Sequence, residues 1–256
     1  MPLISVRGLK KSFGPQTVLD GISFDLHCKD ALGIIGGSGT GKSVLLKCIL
    51  GLLRPDEGSI TINGQDMLHA NWRTRQSILS KIGVLFQGGA LFDSLPVWEN
   101  IAFSLIHHHQ MDKKKARAIA LEKLEAVDLD EKVADIYPAE LSGGMQKRVA
   151  VARAIAANPT IIFFDEPSAG LDPIVNGIVT QLIHRCVRDL GATTMTITHD
   201  MTTLHHIASS ISLLFKGNII WTGDIKELDT TSDPYVVQFI HGNPFGPFTQ
   251  PDPSFK

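Results

Sequence analysis

The chain predicts an alternating α/β fold that opens with a strand-rich segment and carries a helical subdomain at about residues 90–158. Three observations support this. TIIFFD, residues 160–165, is a continuous apolar run of the kind buried on both faces of a sheet. Helical patterns alternate with such runs, starting at Lys42 and again at Met145. The stretch KKKARAIALEKLEAV sets Ile119, Ala120, Leu121, Leu124 and Val127 on roughly one helical face. In order, LISVRGL, LDGISFDL and ALGII read as strands, and GSITINGQ adds another with a turn at Asn63-Gly64. KIGVLF leads into the helical middle. The helix from Met145 runs toward Asn158-Pro159, where the proline biases the chain out of the helix. TIIFFD, the helix VNGIVTQLIHRCVRDLG, the strand TTMTITH, and then ISLLF, GNII and WTGD complete the pattern.

With 256 residues, 43% of them hydrophobic and 20% charged, the chain is long enough for one large domain or a domain with a subdomain. A net charge of −2 disfavours a nucleic-acid partner, whose phosphates call for excess Lys and Arg. Cys28, Cys48 and Cys186 have no metal-ligand or paired spacing and read as buried thiols in a reducing compartment. No apolar run reaches the roughly 20 residues needed to span a bilayer, so any membrane role is peripheral. HHH at 107–109 and KKK at 113–115 read as solvated helix ends, and no transition-metal site is expected.

GIIGGSGTGKS, residues 33–43, places G-x-x-x-x-G-K-S between an apolar strand and a helix. That setting makes it a P-loop. Gly36, Gly37, Gly39 and Gly41, with Ser38 and Thr40 between them, let the backbone N–H groups curl around phosphate oxygens. Lys42 adds a positive charge near the terminal phosphates, and the Ser43 hydroxyl suits Mg²⁺. At the carboxyl end of TIIFFD, where ligands of open α/β sheets collect, two acids follow one another. Asp165 is expected to hold Mg²⁺ through water, and Glu166 to orient or deprotonate the water that attacks the γ-phosphate.

LSGGMQKR, residues 141–148, is a second anion-seeking helix start, with Ser142 at the N-cap and Gly143 and Gly144 leaving the first amides bare. One P-loop already wraps its own nucleotide, so the second start points to a second nucleotide. A two-fold dimer satisfies both, with Ser142, Gly143 and Gly144 of each chain closing over the γ-phosphate held by the other chain's Lys42.

In this ordered set, the P-loop, Gln87, LSGGMQ, IIFFDEP, SAGLD and His199, residues 3–230 resemble the ATPase subunit of an ABC transporter. The resemblance implies a P-loop NTPase of ABC ATPase type, with a RecA-like core, an antiparallel β subdomain and a helical subdomain. It implies that Phe13 stacks on adenine, that Gln87 senses Mg²⁺ and links the site to the membrane partner, that Asp172 organises the dimer seam and that His199 contacts the γ-phosphate. Read without the family, the alternatives are a core aromatic for Phe13, a surface amide for Gln87 and a hydrogen-bonded core residue for His199.

FQGGALFDSLPVWENI, YPAELSGGMQKRVAVARA and SAGLDPI are similar to the ATPases of the Mla and Mce-associated lipid systems. That resemblance implies phospholipid trafficking between the membranes of a Gram-negative envelope, from the cytoplasmic face of the inner membrane. It also implies two permease subunits, a periplasmic Mce-type lipid-binding protein and, in some systems, a small STAS-domain partner. Ala90, Leu91, Phe92, Leu95, Val97 and Trp98 either line a groove for a permease helix or pack the subdomain's own core. Residues 231–256 form an extension expected to contact a partner subunit or dimer mate, because Phe245, Phe248 and Phe255 would otherwise be exposed. The alternatives are the ATPase of a polar-solute importer, such as one for amino acids, and a non-transport ABC protein. One P-loop and the lack of sustained heptads weigh against the latter. A P-loop kinase or GTPase leaves LSGGMQ unexplained.

Overall fold

The computed structural model describes residues 1–249. Strands β1 (Ile4–Phe13) and β2 (Gln16–Leu26) form a hairpin, and β3 (Ala31–Ile35) leads through a glycine-rich loop into α1 (Lys42–Ile49). Next come β4 (Glu57–Ile62), β5 (Gln65–Asp66), α2 (Trp72–Leu79) and β6 (Ile82–Leu85). The β4–β5 turn uses Asn63 (φ 52°) and Gly64 (φ 73°), the two positive φ values that a two-residue hairpin turn demands. The helical region holds α3 (Val97–His107), α4 (Lys113–Ala126) and α5 (Gly143–Ile155). After it follow β7 (Ile161–Asp165), α6 (Pro173–Leu190), β8 (Thr193–Ile197), α7 (Met201–Ile207), β9 (Ser210–Phe215), β10 (Asn218–Asp224) and α8 (Pro234–His241).

Two sheets result. The first is antiparallel in the order β2-β1-β4-β5, and the second runs β10-β9-β3-β8-β7-β6, parallel except for the β9–β10 pair at its edge. Every residue of β7 and β8 is buried, as continuous apolar and β-branched runs require at the centre of a covered parallel sheet. One core lies between the sheets and contains Ile4, Val6, Leu45, Ile49 and Phe163. A second joins the helical region to the other sheet face, with Ile101, Leu124, Val149, Phe164 and Leu182 in one continuous cluster. Helices α3 to α5 therefore rest on the sheet rather than on a separate core.

Asn100, fully buried, fixes the entry to α3: its amide donates to Phe92 O (3.0 Å) and Leu95 O (2.9 Å) and accepts from Phe92 N (2.7 Å). The apolar stretch around it divides between the two roles open to it. Val97 is fully buried and Leu91 and Trp98 pack against the core, whereas Ala90 and Phe92 line a groove of about 470 Å³ with Leu79, Val84 and Phe103. Phe103 also carries His107 at a ring separation of 4.4 Å, so that part of the histidine run is a packing element. Cys48 and Cys186 are buried, and burial pushes the Cys48 thiol up to about 11; Cys28 is exposed, contrary to the expectation for it.

The chain end also departs from expectation. Helix α8 is capped by Asp233, whose carboxylate accepts from Tyr235 N and Val236 N, and ends at Gly242 with φ 61°. Beyond it the chain folds back on itself. Phe248 packs edge-on against Phe215 at 4.5 Å and near Tyr235 at 5.5 Å, and its N–H donates to Gln238 Oε1 at 2.8 Å. Phe248 is thus half-buried against its own chain, whereas Phe245 is 88% exposed; Phe255 lies outside the described residues. Phe248→Ala is expected to lower unfolding free energy by about 1–3 kcal/mol, below the full cost of a core phenylalanine because the ring is only half-buried. A urea titration measures this, and an unchanged midpoint would show that residues 242–249 do not rest on the body of the chain.

Candidate active site

The sheet order β3-β8-β7 brings three chain segments to one edge. After β3, residues 36–41 curl into a loop that delivers Lys42 to the first turn of α1. Gly36 is required there by its φ of 152° and because a Cβ would lie 2.3 Å from Leu214 O. Lys42 is buried, and its ammonium donates to Gly36 O (2.7 Å) and Gly37 O (2.8 Å). Burial pulls its pKa below the usual lysine value, and the charges of Glu166 and Asp165 oppose that shift.

Asp165 ends β7. Burial pushes its carboxyl above the usual range, while a hydrogen bond donated by the Ser43 hydroxyl at 3.4 Å works the other way. Glu166 follows at φ 48°, an uncommon conformation for a residue with a side chain, held by its N–H donating to Ile197 O at 2.8 Å. Its carboxylate accepts from Thr198 Oγ1 at 3.1 Å and lies 3.0 Å from His199 Nδ1. His199 presents most of its ring to solvent, with 70% of the side chain exposed.

Behind His199, Asp200 caps α7 at Thr202 N and accepts from Asn176 Nδ2 (2.7 Å) and Thr203 Oγ1 (2.5 Å), which ties α7 to α6. Thr198, Asn176, Asp200 and Thr203 were not foreseen from sequence. The only signal for them was the polar run after a buried strand, since partners 24 residues apart carry no spacing pattern.

These groups surround a cavity of about 740 Å³ lined by Phe13, residues 36–44, Gln87, Glu166 and His199. Phe13 is 47% exposed, which removes the core-aromatic alternative. Phe239 of α8 also lines this cavity, so the C-terminal helix forms part of its wall. Hard oxygen donors converge at Ser43 and Asp165, a set that suits Mg²⁺ better than a soft transition metal.

The remaining candidates lie elsewhere. Ser142 caps α5 by accepting from Met145 N at 3.3 Å, and Asp172 caps α6 by accepting from Ile174 N and Val175 N, both at 3.0 Å. With Gly143, Gly144 and Arg148 they line a second cavity of about 380 Å³. Neither Ser142 nor Asp172 borders the first cavity. The P-loop and the start of α5 therefore face different cavities of the same chain.

Residues 19–169 match the ABC transporter family. The chain belongs to that family. It is an ATPase cassette of the mixed α/β type, 39% identical over 246 residues to the probable ribonucleotide transport ATP-binding protein mkl of Mycobacterium leprae, covering 95% of this chain and 70% of that protein. It is 38% identical over 245 residues to the intermembrane phospholipid transport system ATP-binding protein MlaF of Haemophilus influenzae, covering 96% of this chain and 92% of that one. Among solved structures, a dimeric ATP-binding cassette bound to ADP and phosphate in a post-hydrolysis state aligns with a TM-score of 0.79 at 30% identity, over 87% of this cassette and 98% of that chain.

Gly36→Ala in this cassette is expected to weaken ATP binding about tenfold or more, since backbone strain of about 1–3 kcal/mol falls on the loop itself. Equilibrium binding of a fluorescent ATP analogue measures the effect. Unchanged affinity would show that the loop relaxes without cost.

Proposed function

We propose that this chain is the ATP-hydrolysing subunit of a transporter that moves phospholipid between the inner and outer membranes, working as a homodimer on two permease subunits at the cytoplasmic face of the inner membrane. The single observation that carries the mechanism is the separation of the two half-sites within one chain. A P-loop half and a helix-start half that face different cavities of one chain are completed by a second copy related by a two-fold axis. ATP held by Lys42 of one copy then meets Ser142, Gly143 and Gly144 of the other, where bare helix N-terminal amides favour the γ-phosphate charge.

In this reading Phe13 stacks on adenine, and residues 36–41 and Lys42 hold the phosphates. Ser43, Asp165 and Gln87 hold Mg²⁺, which when bound neutralises phosphate charge. Glu166 orients and deprotonates the attacking water, a contribution of roughly 10²–10⁴-fold. Its contacts with Thr198 and His199 fix the carboxylate at the cavity, and His199 also reaches toward the γ-phosphate. Asp172 organises the seam between the copies. Loss of phosphate removes the charge that holds the copies together, and the opening is the mechanical output.

No helix among the described residues is long and apolar enough to cross a membrane, which fits a subunit that acts through permeases. The groove between Ala90, Phe92 and Phe103 suits an amphipathic permease helix, and Ala90 lies three residues after Gln87. Phospholipid as cargo is supported by the similarity to MlaF over nearly the whole of that protein; in this reading a periplasmic Mce-type protein and, in some systems, a small STAS-domain protein complete the complex. The likeness to mkl, named as a probable ribonucleotide transport protein, supports a second reading, a polar cargo such as a ribonucleotide. The nucleotide site serves either, because cargo is chosen by the permeases.

Glu166→Gln is expected to bind ATP with little change, to lose about 10²–10⁴-fold in turnover, and to accumulate ATP-dependent dimers in size-exclusion chromatography. Normal turnover would reject Glu166 as the base. Purifying the assembled complex from its membrane and identifying its subunits and bound small molecules by mass spectrometry tests the cargo. Bound phospholipid is expected, and a soluble solute-binding subunit without lipid would move the assignment to the polar-solute reading.

A further inference from the structure

Helix α5 begins at Ser142, at the second cavity, yet its side chains one to three turns on reach back to the first. Lys147 is buried, and its ammonium donates to Gln87 O and, at 3.5 Å, to Glu166 O. Among the described residues Lys147 makes no ion pair with a side chain, so the charge is satisfied by backbone carbonyls. Farther along the helix, Arg153 donates to Gly89 O at 2.5 Å and Ala90 O at 2.7 Å, which grips the same loop a second time.

A buried ammonium is expensive unless its donors are used. Here both carbonyls belong to residues beside the first cavity, although Lys147 itself does not line that cavity. The peptide of Glu166 has a positive φ that must be held from outside: its N–H donates to Ile197 O at 2.8 Å, and its carbonyl accepts from Ala169 N at 3.2 Å and from Lys147 at 3.5 Å. An α-helix moves as a unit over five residues, a rise of about 7.5 Å. Displacement of the Ser142 end is therefore carried to the Lys147 ammonium, and from there to the backbone of Glu166 and of Gln87.

We propose that Lys147 is a positioning residue for hydrolysis: it sets the Glu166 peptide and the Gln87 loop from the helix whose start belongs to the opposite nucleotide site. The inference rests on the reading of Glu166 as the base. Binding of the nucleotide uses the P-loop, which Lys147 does not touch, so its removal acts on the chemical step and spares affinity.

Steady-state ATPase of the full-length chain, with ATP affinity measured in parallel, tests this. Lys147→Met is expected to lower kcat about a hundredfold, the scale of a misplaced reacting group, while KM and ATP affinity stay within about twofold. Lys147→Arg keeps a donor to the carbonyls and is expected to restore most of the rate. Unchanged kcat in Lys147→Met, a parallel loss of affinity, or an arginine variant as poor as the methionine one would overturn the proposal. Should Lys147→Met not fold, Lys147→Gln replaces it: reduced kcat at constant KM supports the proposal, and unchanged kcat or a raised KM overturns it. Glu166→Gln run alongside separates the two readings. If it retains turnover, the base assignment fails; if it loses turnover while Lys147→Met does not, only the positioning role fails.

Discussion

The parallel register of β8 between β3 and β7 is the constraint on which the site depends. Ile34 pairs with Ile197, and Ile197 pairs with Asp165, so the ends of three strands are level. The P-loop, the Thr198-His199 turn and the Asp165-Glu166 pair then emerge side by side at the carboxyl edge of the sheet. A one-residue slip of β8 would turn every side chain to the other face. It would also remove Ile197 O from the Glu166 N–H that helps hold that residue's positive φ. Chemistry at this edge thus inherits its precision from backbone hydrogen bonds in the buried core.

Electrostatics at the same edge are arranged for an anion. Lys42 and Lys147 are buried near Asp165 and Glu166, and burial raises the Asp165 carboxyl while lowering the Lys42 ammonium. Each shift reports a charge short of solvent, the condition under which a phosphate and a divalent cation gain most from the site. The overall charge of −2 says nothing about this local field, because a few buried groups outweigh many solvated ones over such short distances.

Much of the architecture was legible because it rests on local chemistry. The run TIIFFD announced a doubly covered strand, Asn63-Gly64 a tight hairpin, and the glycines before Lys42 a loop into a helix. Less legible were features that depend on where distant segments meet. Lys147 sits among polar residues near a helix start, where nothing in the sequence marks it as buried, yet its long methylene chain turns the ammonium into the core toward Gln87. Residues 90–98 are mostly apolar, and only the packing of α3 on α5 decides that Val97 goes inside while Phe92 stays at the groove. Phe248 was misjudged for the same reason, since the aromatic shelf of Phe215, Tyr235 and Phe239 that covers it is assembled from two elements.

Phe239 adds a consequence of that packing. Its ring is part of the nucleotide cavity wall and also lies 6.1 Å from the ring of Phe248, so the folded-back chain end and the cavity share one aromatic layer. Side chains in such a layer do not deform independently, because close packing passes a displacement to the next contact. At the opposite side of the cavity, α5 reaches the Gln87 loop through hydrogen-bonded cations. One wall is therefore set by apolar packing and the other by directed bonds, which respond differently to motion: packing yields by small shifts shared over many contacts, whereas the Gln87 carbonyl, which accepts from the Lys147 ammonium, is either bonded or lost. A change in the position of α5 thus acts on the Gln87 and Glu166 side of the cavity more sharply than on the Phe239 side, and with Glu166 as the proposed base it would bear on ATP hydrolysis rather than on ATP capture.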